Sequence, residues 1–428
     1  MAQAPIDGSE RIRGIDIARG IALLGIVLVN ARFFFAPFGT AIEPSLTMDG
    51  APRSNADLAA WAIVDACCTY KFISLFSMLF GFGLAMQAAR AEAQGASRWP
   101  IGLRRIGLLA LVGVLHWTLI WFGDILTLYA VLGVIALAVS GLSRRTVGWI
   151  ALALMGVVVV VTLLGVAAQT LGSMRPTPDP AAEAVADGTI ERGFAAMQAA
   201  SFNPSDPIWL SAETAAYREG PFLDALGFRV VAFAFGFIAA FFSYGWQSLL
   251  MMICGVYAFK AGLFSPERSA TRRKIALVGL PIGAVLSVGG VGSMLVLGFD
   301  STVARVAYGL LIALGAMVLP LAYAAIIIEW GPRLPAAIAT ALERAGRMSF
   351  TVYLCESLVC TGISYWWGLA WFGTLGDAQA ALTVFLVWLG LVCFATAWLG
   401  FFRIGPFEWL WRLVTYAGNT APARSNPA

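Results

Sequence analysis

The sequence predicts an all-α, polytopic integral membrane bundle of about ten transmembrane helices, with one or two interfacial or re-entrant helices beside them. Two observations predict it. Of the 428 residues, 60% are hydrophobic and only 12% are charged, against roughly 25% charged in an ordinary soluble domain. The apolar runs also repeatedly exceed about 18 residues, the length at which a helix crosses a hydrocarbon core. Residues 1–171 read as an N-terminal helical half of about five spans. Residues 172–222 read as an extracytoplasmic loop, and 223–428 as a second half of about five spans.

The elements follow in order. The opening "MAQAPIDGSERIRG" is polar and mixed in charge, and the first apolar run, "IDIARGIALLGIVLVN" at 15–30, lacks a small-residue cleavage site. The first helix is therefore expected to be retained. Further spans are expected near 70–90, 106–122, 124–142, 146–170, 243–263, 275–298, 304–328, 348–370 and 381–402. "FLDALGFRVVAFAFGFIAAFFSYGW" at 222–246 is apolar enough for another crossing. An eleventh crossing would place the basic loop "SPERSATRRK" (265–274) outside, so the segment reads as an interfacial or re-entrant lead-in to the next span. "NADLAAWAIVDACCTY" at 55–70 reads the same way.

Lys and Arg collect on alternate connections: Arg90, Arg98, Arg104 and Arg105; Arg144 and Arg145; the 265–274 loop; Arg333, Arg344 and Arg347; and Arg403, Arg412 and Arg424. The positive-inside rule puts these in the cytoplasm. The long loop carries Asp179, Glu183, Asp187, Glu191, Asp206, Glu213 and Glu219 against Arg175, Arg192 and Arg218, and is expected outside. Both termini are then expected to face the cytoplasm of a multi-pass membrane protein. The six cysteines lie in or beside apolar runs without metal spacing, so neither a disulfide nor a metal site is expected. Glycine-rich places such as "GFGLAMQ" lack the lysine of a phosphate loop and read as close helix packing. No basic aromatic surface suits nucleic acid.

Several polar residues are out of place in lipid. Arg19 and Asn30 are eleven positions apart, about 20° from one another on a helical wheel, and Asp16 is placed for an i,i+3 pair with Arg19. This stripe lines a polar cavity, or else it is an interfacial pair with a snorkelling asparagine. His116, the only histidine, lies near the outer end of its span. Asp124 follows eight residues later and Tyr129 one turn further in. A histidine oriented by a carboxylate suits a general base acting on a hydroxyl; a hydrogen-bonded structural imidazole is the alternative. Lys71, Arg229 and Glu356 also interrupt apolar segments, and intramembrane ionisable groups face the bundle interior or water. Asp16, Asn30, Lys71, Tyr129, Arg229 and Glu356 are thus the expected cavity-lining set.

Five stretches, "RIRGIDIARGIALLGIVLVN", "KFISLFSMLFGFGLAMQ", "LHWTLIWFGDILTLYAVLG", "AGRMSFTVYLCESL" and "GPFEWLWRLVTY", together resemble the YeiB family of bacterial inner-membrane proteins, whose C-terminal half is a domain of unknown function. That family is in turn distantly similar to the transmembrane acyltransferases. These include the lysosomal heparan-glucosaminide acetyltransferase and the sugar O-acyltransferases of bacterial envelopes. The shared pattern is an aspartate three residues before an arginine, then ten residues, then a histidine or asparagine, here Asp16, Arg19 and Asn30. Where the O-acyltransferases carry a catalytic histidine this chain has Asn30, so His116 is the only imidazole for a base, with Asp124 beside it.

The resemblance implies an acyl-CoA donor, without metal, approaching from the cytoplasm. Its acyl group would pass to a hydroxyl or amine of an envelope glycan, lipid or small molecule at the outer side, with Arg19, Arg104 and Arg105 holding the phosphates. The rival class is a proton-coupled transporter or permease using His116, Asp124 and Glu356 as relay groups. The long loop is equally suited to acceptor binding and to a partner, and oligomeric state stays open.

Overall fold

The computed structural model describes residues 12–43, 45–47, 53–172 and 189–415. The outermost termini, with Arg424, and the loop residues Arg175, Asp179, Glu183 and Asp187 lie outside that set. All regular elements among the described residues are helical.

Among the described residues eight helical segments are long and apolar enough to cross a membrane. The two remaining expected spans, 124–142 and 348–370, hold shorter apolar helices, α6 (Leu126–Val139) and α15 (Ser349–Ser364). At about 1.5 Å per residue these rise only roughly 21 and 24 Å, less than a hydrocarbon core of about 30 Å.

α1 (Arg13–Phe35) is the central element, apolar around its circumference and buried along most of its length, as expected of a helix with neighbours on all sides. It packs against α4 (Lys71–Ala93), α13 (Thr302–Trp330), α14 (Ala336–Arg347), α15 and α16 (Asp377–Phe401). The approach to α14 is backbone to backbone. A Cβ at Gly20 would collide with the Leu342 carbonyl, and one at Gly346 with the Asp16 carbonyl. Small residues let helices meet this closely.

The rest of the bundle is built from antiparallel neighbours. α5 (Trp99–Leu119) pairs with α6, and α12 (Ser269–Leu297) with α13. A cluster at the basic end fastens the second pair: Glu329 is met by Arg272 at 2.9 Å, Arg273 at 3.1 Å and Arg333 at 3.4 Å, and accepts from Ser269 Oγ at 2.7 Å. Residues of the basic segment 265–274 thus clamp α12 to α13. α7 (Arg144–Gly172) packs along one side on α11 and α13 and leaves the rest of its apolar length exposed.

The two lead-in segments take different forms. α3 (Asn55–Cys67), capped by Ser54 Oγ, which accepts from Asp57 N at 3.1 Å, is divided from α4 by Tyr70 in the left-handed region, φ 62°. α10 (Phe222–Ala240) runs without reversal through a π-helical turn at Phe241–Gly245 into α11 (Trp246–Lys260). The chain does not turn back between them, so 222–246 is the first part of one continuous helix, Phe222–Lys260, and not the re-entrant or separate interfacial helix expected.

The loop region is more ordered than its composition suggested. It holds α8 (Thr189–Ala199) and α9 (Pro207–Arg218), which pack on each other and on α10 and form a cap over the end of the bundle opposite the arginines. A five-residue helix, α2 (Phe38–Ile42), lies beneath α9, and a short amphipathic helix, α17 (Pro406–Thr415), closes the described chain at the basic end.

Candidate functional site

A cavity of about 1720 Å³ runs beside α1 through the depth of the bundle. Its lining is mostly apolar in the middle and charged at both ends.

At the basic end Asp16 and Arg19 point into it, with Arg19 Nη1 3.1 Å from Asp16 Oδ1. The i,i+3 spacing is sufficient cause. Arg105 of α5, Arg347 of α14, and Arg403 and Arg412 from the C-terminal segment join them. Arg347 holds only the Arg403 carbonyl, at 3.3 Å through Nη2, and its Nε is buried without a partner among the described residues. Glu408 of α17 accepts from Phe350 N at 2.9 Å, Thr351 N at 3.0 Å and Thr351 Oγ1 at 2.5 Å. It thus satisfies amide donors that the first turn of α15 leaves free. Burial raises this carboxyl above its usual range. Five guanidinium groups against two carboxylates make this mouth suited to an anion, above all a phosphate, which arginine engages through paired donors.

The middle section carries Ile26, Val29, Phe76, Phe80 and Phe82, together with Tyr129. The Tyr129 hydroxyl lies 2.6 Å from Ser77 Oγ and donates to the Ile73 carbonyl at 3.0 Å. Asn30 also faces the lumen.

At the opposite end Arg32 meets Asp65 of α3 through both carboxylate oxygens, at 3.3 and 3.5 Å. Asp65 also accepts from Thr69 Oγ1 and has no exposed side-chain surface. Glu213 of α9 belongs to the cavity wall on the cap side, accepting from Phe38 N at 3.1 Å and Trp209 Nε1 at 3.0 Å. Burial pushes its carboxyl up to about 7, against the pull of those two donors.

The structure places Asp16, Arg19, Asn30, Arg105 and Tyr129 along one cavity. It places the other expected residues elsewhere. Lys71 is fully buried, with Nζ donating to the Asp65 carbonyl at 2.7 Å. Arg229 is buried between helices, donating from Nε to the Thr118 carbonyl at 2.8 Å and resting over Phe222. Glu356 is buried with Oε1 unpartnered among the described residues. None of the three lines the cavity. Helix-end carbonyls hold Lys71 and Arg229 inside the protein. Arg104 is exposed and, unlike Arg105, does not line the cavity.

His116 and Asp124 do meet. Nδ1 is 3.1 Å from Oδ1, off the line of a full hydrogen bond, and both side chains are buried. Asp124 also caps α6, where its Oδ2 accepts from Thr127 N at 2.8 Å and Thr127 Oγ1 at 2.9 Å. Nε2 of His116 has no partner among the described residues. The pair sits one layer behind the cavity wall, beside two of its members. The ring centroid of Tyr353 is 5.3 Å from that of His116, and that of Trp121 is 6.4 Å away.

Sequence reasoning missed the Arg32–Asp65 pair, and Glu213 and Glu408 as site residues. An aspartate inside "WAIVDACC" was a visible signal for the first; nothing local marks a partner 33 positions away.

The model of the family described as "Protein of unknown function (DUF418)" matches residues 258–418. The chain is 30% identical over 413 residues to an uncharacterized protein, YeiB, of Escherichia coli (strain K12), covering 95% of this chain and 96% of that one. The chain belongs to the YeiB-like DUF418 family. Another relative is the uncharacterized protein YxaH of Bacillus subtilis (strain 168), 30% identical over 420 residues and covering 95% of each chain. The family match takes in α12 to α17, and so the Glu329 clamp, Tyr353, Glu356 and Glu408. The likeness to YeiB and YxaH extends over the cavity-forming N-terminal half as well.

Proposed function

We propose that this protein is a membrane acyltransferase of a bacterial inner membrane, moving an acyl group from cytoplasmic acyl-CoA to a hydroxyl or amine at the outer side. The observation that carries the reading is the cavity itself. It has a mouth rich in arginine at the end assigned to the cytoplasm, an apolar middle for an acyl chain, and polar groups at the far end. Arg19, Arg105 and Arg347 hold the donor's phosphates. The acceptor oxygen bonds to the acyl carbonyl carbon as the carbon–sulfur bond breaks. His116 takes the hydroxyl proton at Nε2 and returns it to the departing thiolate, while Asp124 steadies the imidazolium. Tyr353 and Trp121 must rotate to admit the acceptor to the imidazole.

That requirement favours a second reading, a carrier for an amphiphilic anion, in which the cavity moves its ligand and the buried His116–Asp124 pair is structural. Nanodisc-embedded protein supplied with labelled acyl-CoA separates the two. The enzyme reading expects bound acyl-CoA, thioester loss, and a fall of about 10²–10⁴ in transfer for His116→Gln with binding retained. Arg19→Lys should weaken binding despite keeping the charge. Normal transfer by His116→Gln would remove the base, and uptake into proteoliposomes without thioester loss would favour the carrier.

A further inference from the structure

The mouth at the basic end carries an aromatic ring that a phosphate site alone does not need. α17 has two tryptophans two positions apart, which places them about 200° from one another around the helix. Trp409 is 57% exposed beside Leu410, Leu413 and Val414, an apolar face suited to the membrane interface. Trp411 lies on the other face, where it lines the cavity with Glu408 and Arg412.

Packing fixes the Trp411 ring in that position. Phe350, at the start of α15, meets it edge on, with centroids 5.1 Å apart at 66°, and the Glu408 bonds to Phe350 and Thr351 fasten α17 itself. Over the indole lies the guanidinium of Arg105, its Cζ 5.9 Å from the ring centroid. Arg19, Arg347, Arg403 and Arg412 stand in the same wall. A flat ring inserted between guanidinium and indole needs about 3.5 Å on each side, so roughly 7 Å in all. Arg105, on a flexible stem, has only to withdraw by about 1 Å.

We infer that the anion held at this mouth is a nucleotide, whose base stacks between Trp411 and Arg105 while its phosphates meet the surrounding arginines. Cationic side chains around an aromatic platform suit that ligand, since every base offers a π-face and a guanidinium is planar as well. With its face stacked, Arg105 still presents edge donors to a phosphate. A lipid phosphate or inorganic phosphate would use the arginines and leave the platform idle. As an identification of the base with the adenine of acyl-CoA, the inference rests on the acyl-transfer reading. As a statement that the ligand carries a base, it does not.

The test uses the full chain in nanodiscs of zwitterionic lipid and compares adenosine diphosphate with inorganic pyrophosphate by calorimetry. The two share a diphosphate and differ by the nucleoside. Wild-type protein should bind adenosine diphosphate more tightly by roughly 5–150-fold, the worth of stacking one base. Trp411→Leu should remove that preference while pyrophosphate affinity persists, which also shows that the variant folds; Trp411→Tyr should keep most of it. Arg347→Gln should weaken both ligands together. 8-Azidoadenosine diphosphate, irradiated and mapped by mass spectrometry, should label α17 or the start of α15. Equal affinities in wild type, a preference that survives Trp411→Leu, or labelling confined to other elements would overturn the platform. Should Trp411→Leu lose both ligands, the wild-type preference and the labelling decide. Acyl transfer is measured on the same samples. A preference with no thioester loss would remove the enzyme reading and leave the nucleotide site, whereas transfer from a phosphopantetheine thioester as fast as from acyl-CoA, without any preference, would do the reverse.

Discussion

Replacing Asp65 with asparagine should destabilise the protein by far more than its small change in shape suggests. Asp65 has no exposed side-chain surface, and Arg32 is 13% exposed at 3.3 Å from it. At that distance and an effective dielectric constant of about 20, the attraction is about 5 kcal/mol. Desolvation of both ions offsets most of this, so the intact pair is worth little net. Removing one partner alone leaves a buried charge uncompensated, at a cost of about 3–5 kcal/mol. Asp65→Asn keeps an acceptor for Thr69 Oγ1 and the backbone carbonyl that Lys71 holds, so the loss isolates the charge. Thermal unfolding of purified protein, followed by thiol labelling of the buried Cys68 and Cys360, should show a marked fall for Asp65→Asn. Adding Arg32→Gln should recover most of it. A single variant as stable as wild type would refute the reasoning, because Arg32 would then be solvated through the cavity rather than held by Asp65.

Other consequences are testable in the same preparation. Glu213 binds its proton more tightly folded than unfolded, since burial lifts it from an ordinary value of 4.5 to about 7. The stability it contributes is therefore full below about 4.5 and is lost as pH rises through about 7. Hydrogen exchange in α9 should quicken across that window, and Glu213→Gln should flatten the dependence. Glu408→Ala should cost about 1–3 kcal/mol, because it strands the amides of Phe350 and Thr351 at the start of α15. Glu408→Gln, which keeps an acceptor, should cost less; equal losses in the two would show that charge and not acceptance matters there.

Composition and charge made much of this architecture legible. Apolar length placed the helices, although α6 and α15 are shorter than the spans expected there, and spacing alone placed Asp16 beside Arg19, because an i,i+3 contact is local. The continuity of α10 with α11 was not legible, because an apolar run carries no mark that separates a lead-in segment from one long helix. The helices of the loop were less legible. Their amphipathic faces are short, although Asp206 followed by Pro207 is a start signal that the structure uses, with Asp206 Oδ1 accepting from Ile208 N at 2.9 Å. What the sequence could not display was which ionisable groups share a space. Lys71, Arg229 and Glu356 interrupt apolar runs just as Asp65 does, yet of the four only Asp65 belongs to the cavity wall, buried behind Arg32. That difference is set by the rotation of each helix about its axis, which depends on neighbours far away in the chain.

The contact between α1 and α14 constrains how such a cavity can move. Two backbones touching through glycines have no side-chain slack to take up a displacement, so the basic end behaves as a fixed floor. The cap of α8, α9 and α10 is packed internally ring to ring, with Trp209 and Tyr217 against Phe228, and it meets the bundle through Tyr217, which stacks on Tyr365 and whose carbonyl accepts from Trp366 N at 2.9 Å. Its connector also approaches backbone to backbone, where a Cβ at Gly39 would collide with the Pro204 carbonyl. Both ends of the cavity are therefore pinned by glycines, and a methyl group added at Gly20, Gly346 or Gly39 would force backbones apart rather than displace a side chain.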